Sequence, residues 1–243
     1  MDKTNANSSN PTLKSFYRIG GTAPLVTLTI YLGQLLIIIV SGVTYPTTPE
    51  SWFALFQQNP LLGLVFLNAF DVFSIAILGL MFLALYFALR ETNLPYMVVA
   101  SFFAFLGIAV FVSTRALMVS GILNLSGLYT AATTTVQKSQ ILTACLTITS
   151  PARATPETTG FLFIAVASLI ISTVILRGKV FHNAVAYVGI TGFIITLANQ
   201  ISIIVAPAIV SILMPLNGLV WLIWWILISR NFCSLEKAIR STT

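Results

Sequence analysis

A chain of 243 residues with 57% hydrophobic and 7% charged residues is not an ordinary soluble domain, where about 25% are charged. The net charge of +6 does not mark a nucleic-acid binder, because Lys and Arg sit at the ends of apolar runs rather than in a patch. Six apolar runs, each of about 20 residues or more, are long enough to cross roughly 30 Å of hydrocarbon. Backbone groups in lipid must be satisfied within each run, so helices are expected; the alternation of a membrane barrel is missing. The expected fold class is an all-α polytopic membrane protein with six transmembrane helices plus an outer-surface amphipathic helix.

In chain order, residues 1–22 are polar and carry Lys3, Lys14 and Arg18 ahead of the first apolar run, Ala23 to Val43. That run exceeds a signal-peptide core of about 7 to 15 residues and shows no small-residue cleavage site, so it is expected to stay as the first span. Tyr45-Pro46 ends it. Ser51 to Pro60 sets Trp52, Phe53 and Phe56 beside Gln57, Gln58 and Asn59, a mixture suited to the water interface. The second span is expected over Leu61 to Leu89 and the third over Pro95 to Ile122. The short polar turn from Arg90 to Pro95 makes them antiparallel neighbours.

The outer loop, 123–156, breaks the apolar pattern. Leu125, Leu128, Tyr129, Ala132, Val136, Leu142, Cys145 and Leu146 recur at helical spacing, opposite Thr130, Thr133, Thr134, Gln137, Lys138 and Gln140. This predicts an amphipathic helix, followed by an irregular connection from Ser150 to Pro156. The fourth span runs to Leu176, the fifth from Ala184 to Ala206, and the sixth from Ala208 to Ser229, with Trp221, Trp224 and Trp225 expected as interface anchors. The transmembrane domain thus covers 23–230 and the C-terminal tail 231–243. With the N-terminus inside, Lys3, Lys14, Arg18, Arg90, Arg177, Lys179, Arg230, Lys237 and Arg240 lie on the cytoplasmic side, against Lys138 and Arg153 outside. That imbalance favours both termini in the cytoplasm.

Two full charges are hidden in these runs. Asp71 and Arg115 each lie about 22 residues from the turn at Asn93, so at roughly 1.5 Å per residue they reach one depth. An acid and a base that are costly alone in lipid can meet there as a pair. Two roles stay open for them: a structural ion pair that fixes the second and third spans, or a ligand site. Gln34, Asn68, Ser168, Asn199 and Asn217 fall at similar depth and form an expected polar layer, acting as interhelical glue or as the lining of an outward cavity. Pro215-Leu216-Asn217-Gly218 marks a kink in the sixth span, and His182 falls in a cytoplasmic turn.

Arg18-Ile19-Gly20-Gly21, Asn59-Pro60-Leu61-Leu62, Tyr129 to Thr134 and Ala186-Tyr187-Val188-Gly189-Ile190 resemble a family of small bacterial six-span membrane proteins known only as a domain of unknown function. The resemblance implies the six-helix fold and a prokaryotic inner membrane, and brings no activity or catalytic residue with it.

One His and two separated Cys form no zinc or haem ligand set within one chain, and no phosphate-binding loop or dinucleotide fingerprint is present. No His or Lys lies within the spans to activate a serine. The expectation is therefore a non-enzymatic protein without metal or cofactor. It binds a lipid or small amphiphile in the outward polar layer, or packs as an accessory subunit against a membrane-protein partner or a second copy of itself. The alternative is a proton-coupled small-molecule transporter using Asp71.

Overall fold

The computed structural model describes residues 11–149 and 155–241; the polar start, most of the irregular connection and the last two residues, with Lys3 and Arg153, lie outside the described residues. Every regular element among the described residues is a helix. They are α1 (Pro11–Ser41), α2 (Pro49–Gln58), α3 (Pro60–Phe66), α4 (Asp71–Leu89), α5 (Leu94–Ala131), α6 (Thr135–Thr149), α7 (Thr155–Arg177), α8 (Asn183–Val205) and α9 (Pro207–Ser241). Six of them, α1, α4, α5, α7, α8 and α9, are long and apolar enough to cross a membrane. The chain is an all-α polytopic protein.

Local chemistry sets the helix starts. Thr48 Oγ1 accepts from the Ser51 amide at 3.3 Å while Ser51 Oγ accepts from the Thr48 amide at 3.1 Å, a reciprocal cap with Pro49 next in line. Asn59 Oδ1 caps α3 at the Leu62 amide (3.0 Å), Asn93 Oδ1 caps α5 at Tyr96 (3.2 Å), and His182 Nδ1 caps α8 at Ala184 (3.2 Å).

The spans close a ring in chain order. Each packs on its neighbours in sequence, α9 returns to α1, and α4 touches α7 across the middle. Small residues let backbones approach. A Cβ on Gly107 of α5 would stand 2.6 Å from the Gly160 carbonyl oxygen of α7, so only glycine fits at that crossing. At the end of the ring near Arg90, Ser229 Oγ donates to the Gly21 carbonyl at 2.6 Å, joining α9 to α1. Described basic residues Arg18, Arg90, Arg177, Lys179, Arg230 and Lys237 gather at this end.

The buried apolar side chains among the described residues form two cores. The larger lies inside the ring, with Phe82 and Leu85 from α4, Phe111 from α5, Ile171 from α7, and Trp224 and Phe232 from α9. The smaller gathers Trp52, Leu55, Phe56, Phe66, Leu67 and Ile122, with Ile38, Met118 and Ile148 against them. It caps the end of the ring opposite Arg90. At about 1.5 Å per residue the 38 residues of α5 reach roughly 57 Å, nearly twice the hydrocarbon thickness, so the helix carries its last turns beyond the span into this cap.

Four sequence expectations change in detail. The second span is not continuous from Leu61: α3 stops at Phe66 and α4 starts at Asp71. The third helix continues through Leu125, Leu128 and Tyr129 to Ala131, and the loop helix begins only at Thr135. Its expected apolar stripe packs only in part: Cys145 is buried and Leu142 half-buried, and Ile148 from outside the stripe joins the smaller core, whereas Val136 and Leu146 are exposed. The tryptophans are core groups rather than interface anchors. Trp224 is fully buried and its Nε1 donates to the Val185 carbonyl at 3.1 Å, beside Gly189, whose missing side chain makes room for the indole.

Candidate functional site

The break between α3 and α4 builds the site. In it, Asn68 takes φ +51°, a left-handed conformation that Asn tolerates better than most residues. The Ala69 amide donates to Leu64 O at 3.0 Å and the Asn68 amide to Val65 O at 2.9 Å, the paired reverse bonds that close a helix end. In an unbroken helix the Asp71 amide would bond the Leu67 carbonyl. Here it bonds Asn68 O at 3.0 Å, and the released Leu67 carbonyl accepts from Arg115 Nη1 of α5 at 3.0 Å.

Each charge thus sits at the helix end that suits it. Arg115 holds the C-terminal carbonyl of α3, and Asp71 occupies the first turn of α4, so both are stabilised by the aligned peptide dipoles. Gln34 Nε2 of α1 donates to Asp71 Oδ1 at 3.0 Å. One turn further, Thr27 Oγ1 of α1 donates to the Ser74 carbonyl at 3.0 Å. Arg115 also lies 5.5 Å from the centre of the Phe111 ring, where the π face adds attraction. Gln34, Asp71 and Arg115 are all buried, and they lie where the ring core meets the cap core. Asp71 and Arg115 are thus tied to the two sides of one turn, Arg115 through the Leu67 carbonyl and Asp71 at the start of α4; the ion pair Arg90–Glu91, 3.6 Å apart, lies at the opposite end. The 19 residues of α4 span about 28 Å, which sets this cluster near one edge of the hydrocarbon.

The other polar residues divide differently. Asn217 Oδ1 accepts from Thr196 Oγ1 at 2.8 Å, and Trp221 Nε1 donates to the same hydroxyl at 3.0 Å, a neutral clasp between α8 and α9. Ser168 Oγ turns back to its own helix at Ile164 O, 2.9 Å away. Asn199 is buried with its Oδ1 unpartnered among the described residues. The expected layer is therefore two clusters, Gln34, Asp71 and Arg115 around the Asn68 turn, and Thr196, Asn217 and Trp221, with Ser168 and Asn199 joined to neither by a hydrogen bond. Sequence reasoning missed the Leu67 carbonyl and Thr196. Asn68 carried the usable signal, an Asn within an apolar run being a favoured left-handed helix end.

α9 runs as one helix through Pro215, so the sixth span is not interrupted there. Cys145 is buried under the cap; burial, and next the negative charge of Glu50, push its thiol up to about 11. A thiol held protonated in this way is a packing group rather than a nucleophile. Concavities of about 470 and 490 Å³ lie at the two ends of the molecule, one between the 43–47 link and α2 and the other at the turn from Tyr86 to Leu94. None of Gln34, Asp71 and Arg115 lines either.

Comparison of the chain with protein-family models, with characterised proteins and with solved structures gives no match.

Proposed function

We propose that the protein is a non-enzymatic membrane protein that binds a lipid or small amphiphile at its capped end. The observation that carries this reading is the second apolar core. A bundle needs no such core to span a bilayer, yet here the second span is broken and α5 is extended so that a cap can sit over one end. Under that cap edge lies a concavity of about 470 Å³, within the size range of small-molecule sites. Gln34, Asp71 and Arg115 then serve as the joint between cap and ring.

The reading is tested by native mass spectrometry of gently extracted protein. Retained lipid is expected. A retained protein subunit without lipid supports the accessory-subunit reading instead, and bare protein opposes both.

A second reading, proton-coupled transport, has one observation in its favour: a carboxylate at a discontinuous helix, the arrangement by which transporters build ion sites. It requires proton flux in proteoliposomes that Asp71→Asn abolishes without loss of folding; flux unchanged by the substitution rules it out.

The proposed location is a prokaryotic inner membrane, in line with the six-span bacterial family that the chain resembles, with both termini cytoplasmic. The gathering of basic side chains at the Arg90 end supports this orientation. Cys233 is exposed at that end, so a membrane-impermeant maleimide is expected to miss it in intact cells and to label Thr133→Cys in the cap.

A further inference from the structure

We infer that the concavity between the 43–47 link and α2 is a seat for a sugar headgroup, with the lipid tail lying along α1. This rests on the lipid-binding reading and names its ligand.

The first observation is charge. The lining holds no Asp, Glu, Lys, Arg or His. The two helix starts beside it do not supply an anion site either, because Thr48 already occupies the Ser51 amide and Asn59 the Leu62 amide. A phosphate headgroup finds no cation there, so the ligand is neutral.

The second observation is hydrogen-bonding capacity. The side chains of Thr44, Thr47 and Gln58 line the concavity, are exposed, and make no hydrogen bond among the described residues. Two hydroxyls and an amide offer donors and acceptors together, the pairing that vicinal hydroxyls of a sugar require.

The third observation is a fixed aromatic wall. The Tyr45 ring packs against Trp52 in a T-shaped pair at 5.4 Å and against Phe66 at 6.0 Å, so the cap core holds it in place, yet the residue lines the concavity and is 62% exposed. An aromatic residue held in this way and still largely exposed suits the apolar C–H face of a pyranose. Below it, Leu36, Ile39 and Val40 present an apolar strip of α1, 62 to 76% exposed, on which an acyl chain can lie.

The test reconstitutes the full chain in nanodiscs containing equal amounts of glucosyldiacylglycerol, diacylglycerol and phosphatidylglycerol, and reads retained lipid by native mass spectrometry. Glucosyldiacylglycerol is expected to be enriched about tenfold, the yield of one or two net hydrogen bonds. Ala54→Trp, which fills the concavity from an exposed position, and Gln58→Leu are expected to remove the enrichment with an unchanged melting temperature. Methyl glucoside in solution is a second arm. Competition by it at concentrations matching the glycolipid keeps the sugar seat and overturns the role of the tail. Preference for phosphatidylglycerol, or enrichment that survives both substitutions, overturns the inference. Another lipid retained in a manner sensitive to Ala54→Trp overturns only the sugar chemistry and leaves the lipid-binding reading in place, whereas no retained lipid at all overturns both.

Discussion

The two polar clusters of this bundle solve one problem in opposite ways. Between α8 and α9, Thr196, Asn217 and Trp221 satisfy one another with three side chains on two uninterrupted helices. Between α1, α4 and α5, Gln34, Asp71 and Arg115 require a broken helix. The difference follows from donor number. A hydroxyl or an amide carries both donors and acceptors, so neutral side chains can serve one another, but a guanidinium has five N–H donors and no acceptor and draws on backbone carbonyls. Inside a helix those carbonyls are occupied; at a helix end they are free. The neutral clasp leaves the backbone alone, and the charged cluster reshapes it.

The contrast can be broken most severely at the charges. Arg115→Leu and Asp71→Ala are each expected to cost about 3 to 5 kcal/mol, because each leaves the other buried groups short of a partner, and the double substitution is expected to cost less than the sum. Thermal unfolding of the singles and the double in detergent measures this; strictly additive losses would show that the two charges are not coupled through the turn. Gly160→Ala provides a steric standard that removes no hydrogen bond of either cluster, although it also presses on the backbone of Phe111, whose ring lies against Arg115. Its Cβ would press within 2.9 Å of the Gly107 carbonyl oxygen, and a cost of about 1 to 3 kcal/mol is expected in the same assay.

Asn68 sharpens the comparison by testing the backbone rather than the charges. Asn68→Ala is expected to lose about 1 to 2 kcal/mol because φ +51° disfavours a Cβ-bearing residue without a polar side chain, while Asn68→Gly should hold within about 0.5 kcal/mol. Equal melting temperatures for the Ala and Gly variants would show that the left-handed turn is not what frees the Leu67 carbonyl. The smallest effects belong to the neutral clasp. Thr196→Val and Asn217→Leu are each expected to cost about 0.6 kcal/mol, the average for a hydrogen bond between membrane helices, and denaturant titration resolves whether either exceeds that.

Particular residues show how far the sequence was legible. The equal spacing of Asp71 and Arg115 from the turn at Asn93 placed both at one level, and the structure brings them to one turn with Gln34. The nature of their meeting was not legible, since it passes through a main-chain carbonyl that no side-chain pattern reports. Pro215 and residues 67–70 make the sharper lesson. Pro215 is the conventional mark of an interrupted helix, yet α9 continues through it, as membrane helices allow when the lost bond is made good locally. The segment that does break, Leu67-Asn68-Ala69-Phe70, holds neither Pro nor Gly. The tryptophans of α9 were misplaced for a similar reason: amphipathic rings fit an interface, but Gly189 on another helix opens a pocket inside.

The sequence by itself determined the six spans, their order and the charge gathered at one end, because the length of an apolar run and the expense of unpaired backbone groups in lipid are local properties. Only the tertiary structure decided where the second span breaks and what the cap covers. A helix and a reverse turn at Asn68 satisfy nearly the same number of backbone groups, so local energy does not choose between them. The choice falls to the turn because Arg115, arriving from another helix, needs the Leu67 carbonyl that only the turn leaves open.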